Sequence, residues 1–206
     1  MSRTSLFIAA AAVALALIAG GAWWLMHPAH DRFADCGGTA IAGSSIGGPF
    51  TLVDETGRTV TSAELITKPT LIYFGYTFCP DVCPTDSARN ADALDLLQKR
   101  GIDAQAAFIS IDPGRDTVER VREFTNFFHP DMIGLTGSAE QVAAASRAYK
   151  TYYAKKDTGD EFYLMDHSTF TYLTLPKSGV VTYFRHGDSA KEIADQAACY
   201  IAANQG

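Results

Sequence analysis

The chain opens on one unbroken apolar run and then alternates between two periodicities. From residue 6 to 26 no side chain is charged, and Ala, Leu, Ile and Val dominate. A helix of ~20 such residues is long enough to cross a bilayer. The run is longer than the ~7–15 apolar residues of a secretory leader. It ends in Trp23 and Trp24, a residue type that settles at membrane interfaces, so an uncleaved anchor is expected. Arg3 is the only formally charged side chain before Asp31, which keeps residues 1–5 cytoplasmic and exports the rest. Residues 27–48 are rich in Gly, Ala and Ser without clear period and read as a tether.

Residues 49–206 switch repeatedly between strand and helix patterns. Residues 50–60 read as a hairpin with Gly57 in its turn. Residues 70–75 form a short run of β-formers behind Pro69, as a buried central strand requires. Helical spacing of Ala88, Ala91, Leu94 and Leu97 predicts a helix over 85–99, closed by Gly101. A strand over 105–111 and a helix over 116–128 follow, with Asp116 and Glu119 at capping-box spacing. Then come a strand over 132–135 and a helix over 138–149 opened by Ser138 and Gln141. A polar turn at 157–160 precedes strands at 168–175 and 180–185, and a last helix at 192–203. This order gives an α/β domain of thioredoxin-like layout behind a single N-terminal transmembrane helix.

The 206 residues carry a formal net charge of -6. Without Arg3 the remainder stands at -7, so no nucleic-acid partner is expected. No Arg-rich, Ser-rich presequence precedes the apolar run. A single-pass protein of the bacterial inner membrane, with its domain in the periplasm, is therefore the simpler expectation.

An oxidising compartment permits disulfides, and the chain has four cysteines. Cys79 and Cys83 lie in Tyr73-Phe-Gly-Tyr-Thr-Phe-Cys-Pro-Asp-Val-Cys-Pro84, between a strand and a helix. Pro84 fits the first turn of a helix but not its interior, so both sulfurs are expected on a tight loop at a helix N-terminus. There the helix dipole favours thiolate, raising nucleophilicity and metal affinity. Three chemistries suit the pair. A short structural bridge would add little, because loop-closure stabilisation grows with loop length. A redox dithiol has the right position, but three residues intervene where redox thioredoxins have two. A metal site needs a third ligand, and His167 is the candidate.

Taken together, Phe50-Thr-Leu-Val-Asp-Glu-Thr-Gly-Arg-Thr-Val-Thr61, the Cys79–Cys83 segment, Ser110-Ile-Asp-Pro-Gly-Arg-Asp-Thr117 and Asp166-His-Ser168 resemble the Sco/SenC family of membrane-anchored copper chaperones. The resemblance implies a thioredoxin-like fold with copper, Cu(I) or Cu(II), held by Cys79, Cys83 and His167. It implies a binding protein that receives the ion from a copper donor protein and matures the dinuclear copper centre of cytochrome c oxidase subunit II. Two thiolates and one imidazole suit Cu(I). Zinc would want a fourth ligand, for which Asp81 and Asp166 are the candidate oxygen donors. A thiol–disulfide reductase that keeps the oxidase cysteines reduced would use Cys79 and Cys83 without His167. A peroxiredoxin-like peroxidase shares the fold order and would need one dominant low-pKa thiol.

The remaining polar residues carry weaker expectations. Asp112 and Asp116 are expected to shape the loop beside the site, with Asp116 capping a helix. His129 and His186 are expected at the surface, and His27 and His30 on the tether. Cys36 and Cys199 depart from the family pattern; bridging them would tie the tether to the last helix, a pairing favoured over two free thiols. The segment 174–179, Thr-Leu-Pro-Lys-Ser-Gly, replaces an acidic turn carried by many relatives.

Overall fold

Thr70–Gly75 and Gln105–Ser110 are buried at every position, because both faces of the sheet they occupy are covered. The computed structural model describes residues 3–26, 32–37, 39–156 and 163–205, and within 3–26 the side chains of residues 7 and 12–23. It comprises two units, Met1–Ala34 and Asp35–Gly206.

The first unit holds helix α1 (Arg3–Met26). Among the described residues no helix is long and apolar enough to cross a membrane. His27 and His30, and the turn expected at 157–160, lie outside the described residues.

The second unit begins with β1 (Thr51–Asp54), β2 (Thr59–Thr61), α2 (Ser62–Leu65), β3 (Thr70–Gly75) and α3 (Val82–Gln98). It continues with β4 (Gln105–Ser110), α4 (Val118–Phe128), β5 (Met132–Thr136) and α5 (Ala139–Tyr149). A short hairpin, β6 (Tyr153–Lys155) and β7 (Met165–His167), precedes β8 (Thr171–Leu175), β9 (Gly179–Phe184) and α6 (Ala190–Ala203). Seven strands form one sheet in the order β2-β1-β5-β4-β3-β8-β9, and β6-β7 form a second. β3 and β5 run parallel to β4, and the other pairs in the large sheet are antiparallel. Helix α3 packs on α6, and α4 lies on β5. Gly134 permits the latter approach, since a Cβ there would stand 2.7 Å from the Val121 carbonyl oxygen.

Local chemistry explains where the elements depart from expectation. The cap of α4 is Thr117, whose hydroxyl accepts the Arg120 N–H, and not Asp116. Asp116 is wholly buried and spends its carboxylate on other partners. Helix α3 starts two residues before Pro84, which becomes its third residue, where a missing N–H is still harmless. Ser138 and Gln141 do form a capping box, and Ser189 with Glu192 forms another that starts α6 earlier than expected. His129 is buried, and its Nδ1 accepts the Asp131 N–H at 2.9 Å. His186 is exposed and rests on buried Asp86 at 2.8 Å.

Much of the expected tether is fastened to the domain. The Ile41 N–H donates to the Val181 carbonyl at 2.9 Å, and the Gly47 N–H to that of Ala148 at 2.8 Å. Cys36 and Cys199 form a disulfide, and beside it the Tyr200 hydroxyl donates to the Gly37 carbonyl at 3.1 Å. The bridge closes a loop of sequence separation 163, for which chain entropy sets an upper gain of roughly 4–5 kcal/mol. Replacing both cysteines with Ser should therefore lower the unfolding free energy by up to about that amount in non-reducing denaturant titration. An unchanged midpoint would show that the bridge does not constrain the unfolded chain.

Candidate metal centre

The site is assembled at the carboxyl end of β3. Gly75 ends that strand because nothing larger fits: a Cβ would stand 2.9 Å from the Cys83 sulfur and 2.8 Å from the Tyr73 ring. The chain then turns, with the Cys79 N–H bonded to the Tyr76 carbonyl at 3.2 Å. At the start of α3 the Asp81 side chain makes no capping bond. Cys79 Sγ takes that place, accepting the Cys83 N–H at 3.3 Å. The loop is held from behind by Asp116, which accepts the Thr77 N–H at 3.0 Å and the Thr77 hydroxyl at 2.6 Å.

The second half of the site arrives on β7. Pairing of His167 with Tyr153 sets its place on the small hairpin. His167 Nδ1 lies 2.9 Å from the Ser168 carbonyl, which can only accept, so Nδ1 carries a hydrogen. That leaves Nε2 to face Cys83 Sγ at 3.4 Å. The imidazole stands edge-on to Tyr73 and Tyr76, with ring centroids 6.2 and 5.8 Å away. Ligand atoms of Cys79, Cys83 and His167 all lie within 4.8 Å of one another.

The two sulfurs are chemically distinct. Cys79 is half-buried and its thiol is pulled down to about 3. Hydrogen bonding with Cys83 is the main cause, burial opposes it, and His167 with the Asp81 and Cys83 N–H groups adds to it. Burial pushes the Cys83 thiol far up, and the adjacent Cys79 thiolate pushes it further. Burial works against a charged His167, yet hydrogen bonding to Cys79 and to the Ser168 carbonyl outweighs it and raises its pKa. The metal-free site is thus a thiolate, a thiol and an imidazole that holds its proton readily. A bound metal must displace the protons of Cys83 and His167, so binding weakens as pH falls.

The structure brings together Cys79, Cys83 and His167, as the sequence suggested, and adds no carboxylate among the described residues. Asp166 sits on the opposite face of β7 and pairs with Lys156 at 2.9 Å. Gly75, Tyr73 and Tyr76 escaped the sequence reading as parts of the site. Their signal was the Tyr-Phe-Gly-Tyr run just before Cys79.

A thioredoxin-like domain with a Cys2His cluster at the carboxyl end of a central strand defines a protein of the thioredoxin-like class with a candidate metal site. The SCO1/SenC family model matches residues 38–202, and the chain belongs to that family. Protein SenC of Rhodobacter capsulatus is 48% identical over 205 residues, covering 99% of this chain and 93% of its own. The crystal structure of Arabidopsis thaliana ScoI with copper bound superposes with a TM-score of 0.72 at 39% identity, over 78% of this chain and 98% of that one. Bradyrhizobium japonicum ScoI with copper bound gives 0.69 at 39% identity, over 75% and 99%.

Alkylation separates the two thiols. In reduced, metal-free protein near pH 5.5, iodoacetamide should modify Cys79, which is already thiolate there, while Cys83 stays untouched until unfolding. Peptide mapping checks this; Cys83 reacting first, or Cys79 silent below the usual thiol range of ~8.5, would contradict the assignment.

Proposed function

We propose that Cys79, Cys83 and His167 together hold one copper ion, which the protein passes by ligand exchange to the dinuclear centre of cytochrome c oxidase subunit II. The observation that carries this reading is the convergence of two sulfurs and one imidazole nitrogen within 4.8 Å. A sulfur-rich set of low coordination number suits Cu(I). The copper-bound ScoI relatives support the choice of metal. A copper donor protein loads the site. The uncharged run over residues 6–26 anchors the chain in a bacterial inner membrane, with the domain in the periplasm, a reading supported by the helical state of Arg3–Met26.

One further observation favours a second reading. A half-buried thiolate at Cys79 beside a buried thiol at Cys83 is the arrangement of an attacking and a resolving cysteine. Thiol–disulfide reduction of the oxidase cysteines would need that pair alone.

His167→Ala in the full-length protein separates the two. Copper affinity, measured by competition with a chelator, should fall by at least ~100-fold, since losing even an outer partner of a ligand costs ~10–100-fold. The fold and Cys79 alkylation should persist. Unchanged affinity would reject the ligand set, and oxidase maturation retained in cells would favour the reductase.

A further inference from the structure

The hairpin β6–β7, which carries His167, shares no backbone ladder with the seven-stranded sheet among the described residues. Beyond its covalent links to α5 and β8, its position relative to the cysteines rests on side-chain contacts. We propose that Arg115 is the positioning residue that holds His167 within reach of Cys79 and Cys83, by clasping Tyr163; this rests on the copper-site reading above.

Arg115, Asp112 and Tyr163 close a ring of contacts. Arg115 Nε donates to Asp112 Oδ2 at 2.5 Å and Nη1 donates to the Tyr163 carbonyl at 2.9 Å. The Tyr163 hydroxyl donates to the other Asp112 oxygen at 2.7 Å. The guanidinium lies 3.6 Å from the Tyr163 ring centroid and 4.8 Å from that of Phe78, on the cysteine loop. Its side chain is only 18% exposed, so stacking and ion pairing act with little screening.

The clasp reaches the ligand through the two residues that lead into β7, where half-buried and exposed positions alternate from Tyr163 to His167. Tyr163, Met165 and His167 follow at two-residue spacing, the period that puts side chains on one face of an extended chain. Arg115 fastens the first, the Tyr76 hydroxyl accepts the Met165 N–H at 3.3 Å, and the third faces the sulfurs. The same loop fixes the cysteine side. Ser110 Oγ accepts the Asp112 N–H at 3.0 Å and donates to Asp116 at 2.6 Å, and Asp116 holds Thr77. Loop 110–116 thus sets the distance between the two halves of the site.

A double-mutant cycle on the full-length protein in detergent tests this, with Cu(I) affinity read by chelator competition. Arg115→Gln should weaken binding by ~10–100-fold, the range for a residue that orients a ligand. In a His167→Ala background the same change should cost less than ~3-fold, because it acts only through His167. Arg115→Lys should not rescue, since an ammonium can neither fork nor stack like a guanidinium. Tyr163→Phe guards against misfolding: it deletes one hydroxyl, keeps the stack, and should weaken binding in the same direction by less. Equal losses in both backgrounds, or full affinity in Arg115→Gln, would overturn the clasp. Should His167→Ala alone leave affinity intact, the ligand set falls and the clasp with it.

Discussion

A sulfur atom occupies the capping position of α3. Helices leave their first backbone N–H groups unsatisfied, and a hydroxyl or carboxylate usually takes one of them. Here Asp81 makes no such bond and Cys79 Sγ does. The helix end thereby favours charge on that sulfur, and the sulfur in turn fixes the turn that delivers Cys83. Everything else at the site is arranged around this exchange. Gly75 leaves room for the second sulfur, Asp116 braces the loop, and Tyr73 and Tyr76 wall the imidazole.

The arrangement resolves a conflict between burial and charge. Two thiolates side by side in a half-closed pocket would repel each other. With no metal, one proton stays on buried Cys83 while Cys79 carries the charge beside His167. A soft cation removes the conflict by neutralising both sulfurs at once. Proton and metal compete for the same atoms, so occupancy of the site depends on pH.

How much of this could be read from residues alone varied with the range of the interaction. The central strands, the Ser138–Gln141 cap and the cysteine corner follow from local chemistry, and the structure places all of them close to their expected positions. The hairpin β6–β7 was not legible, because its strands are three residues each and its docking depends on Arg115 and Tyr76, distant in sequence. Asp116 was expected as a cap because spacing to Glu119 fits one. Its burial among Ser110 and Thr77 is a tertiary fact that spacing does not encode. His129 failed similarly: a histidine before proline looks exposed, but this one closes α4 and is buried with its Nε2 3.4 Å from Asp95 of α3. The segment around Ile41 and Gly47 lacks periodicity, so nothing local announced that β9 and α5 would hold those two residues.

The central claim is that both sulfurs and the imidazole bind one ion together. X-ray absorption spectroscopy at the copper edge, on full-length protein loaded with one equivalent of Cu(I), measures this directly. Two sulfur neighbours and one imidazole nitrogen are expected around each copper. A single sulfur, or two sulfurs with no imidazole scattering, would contradict it.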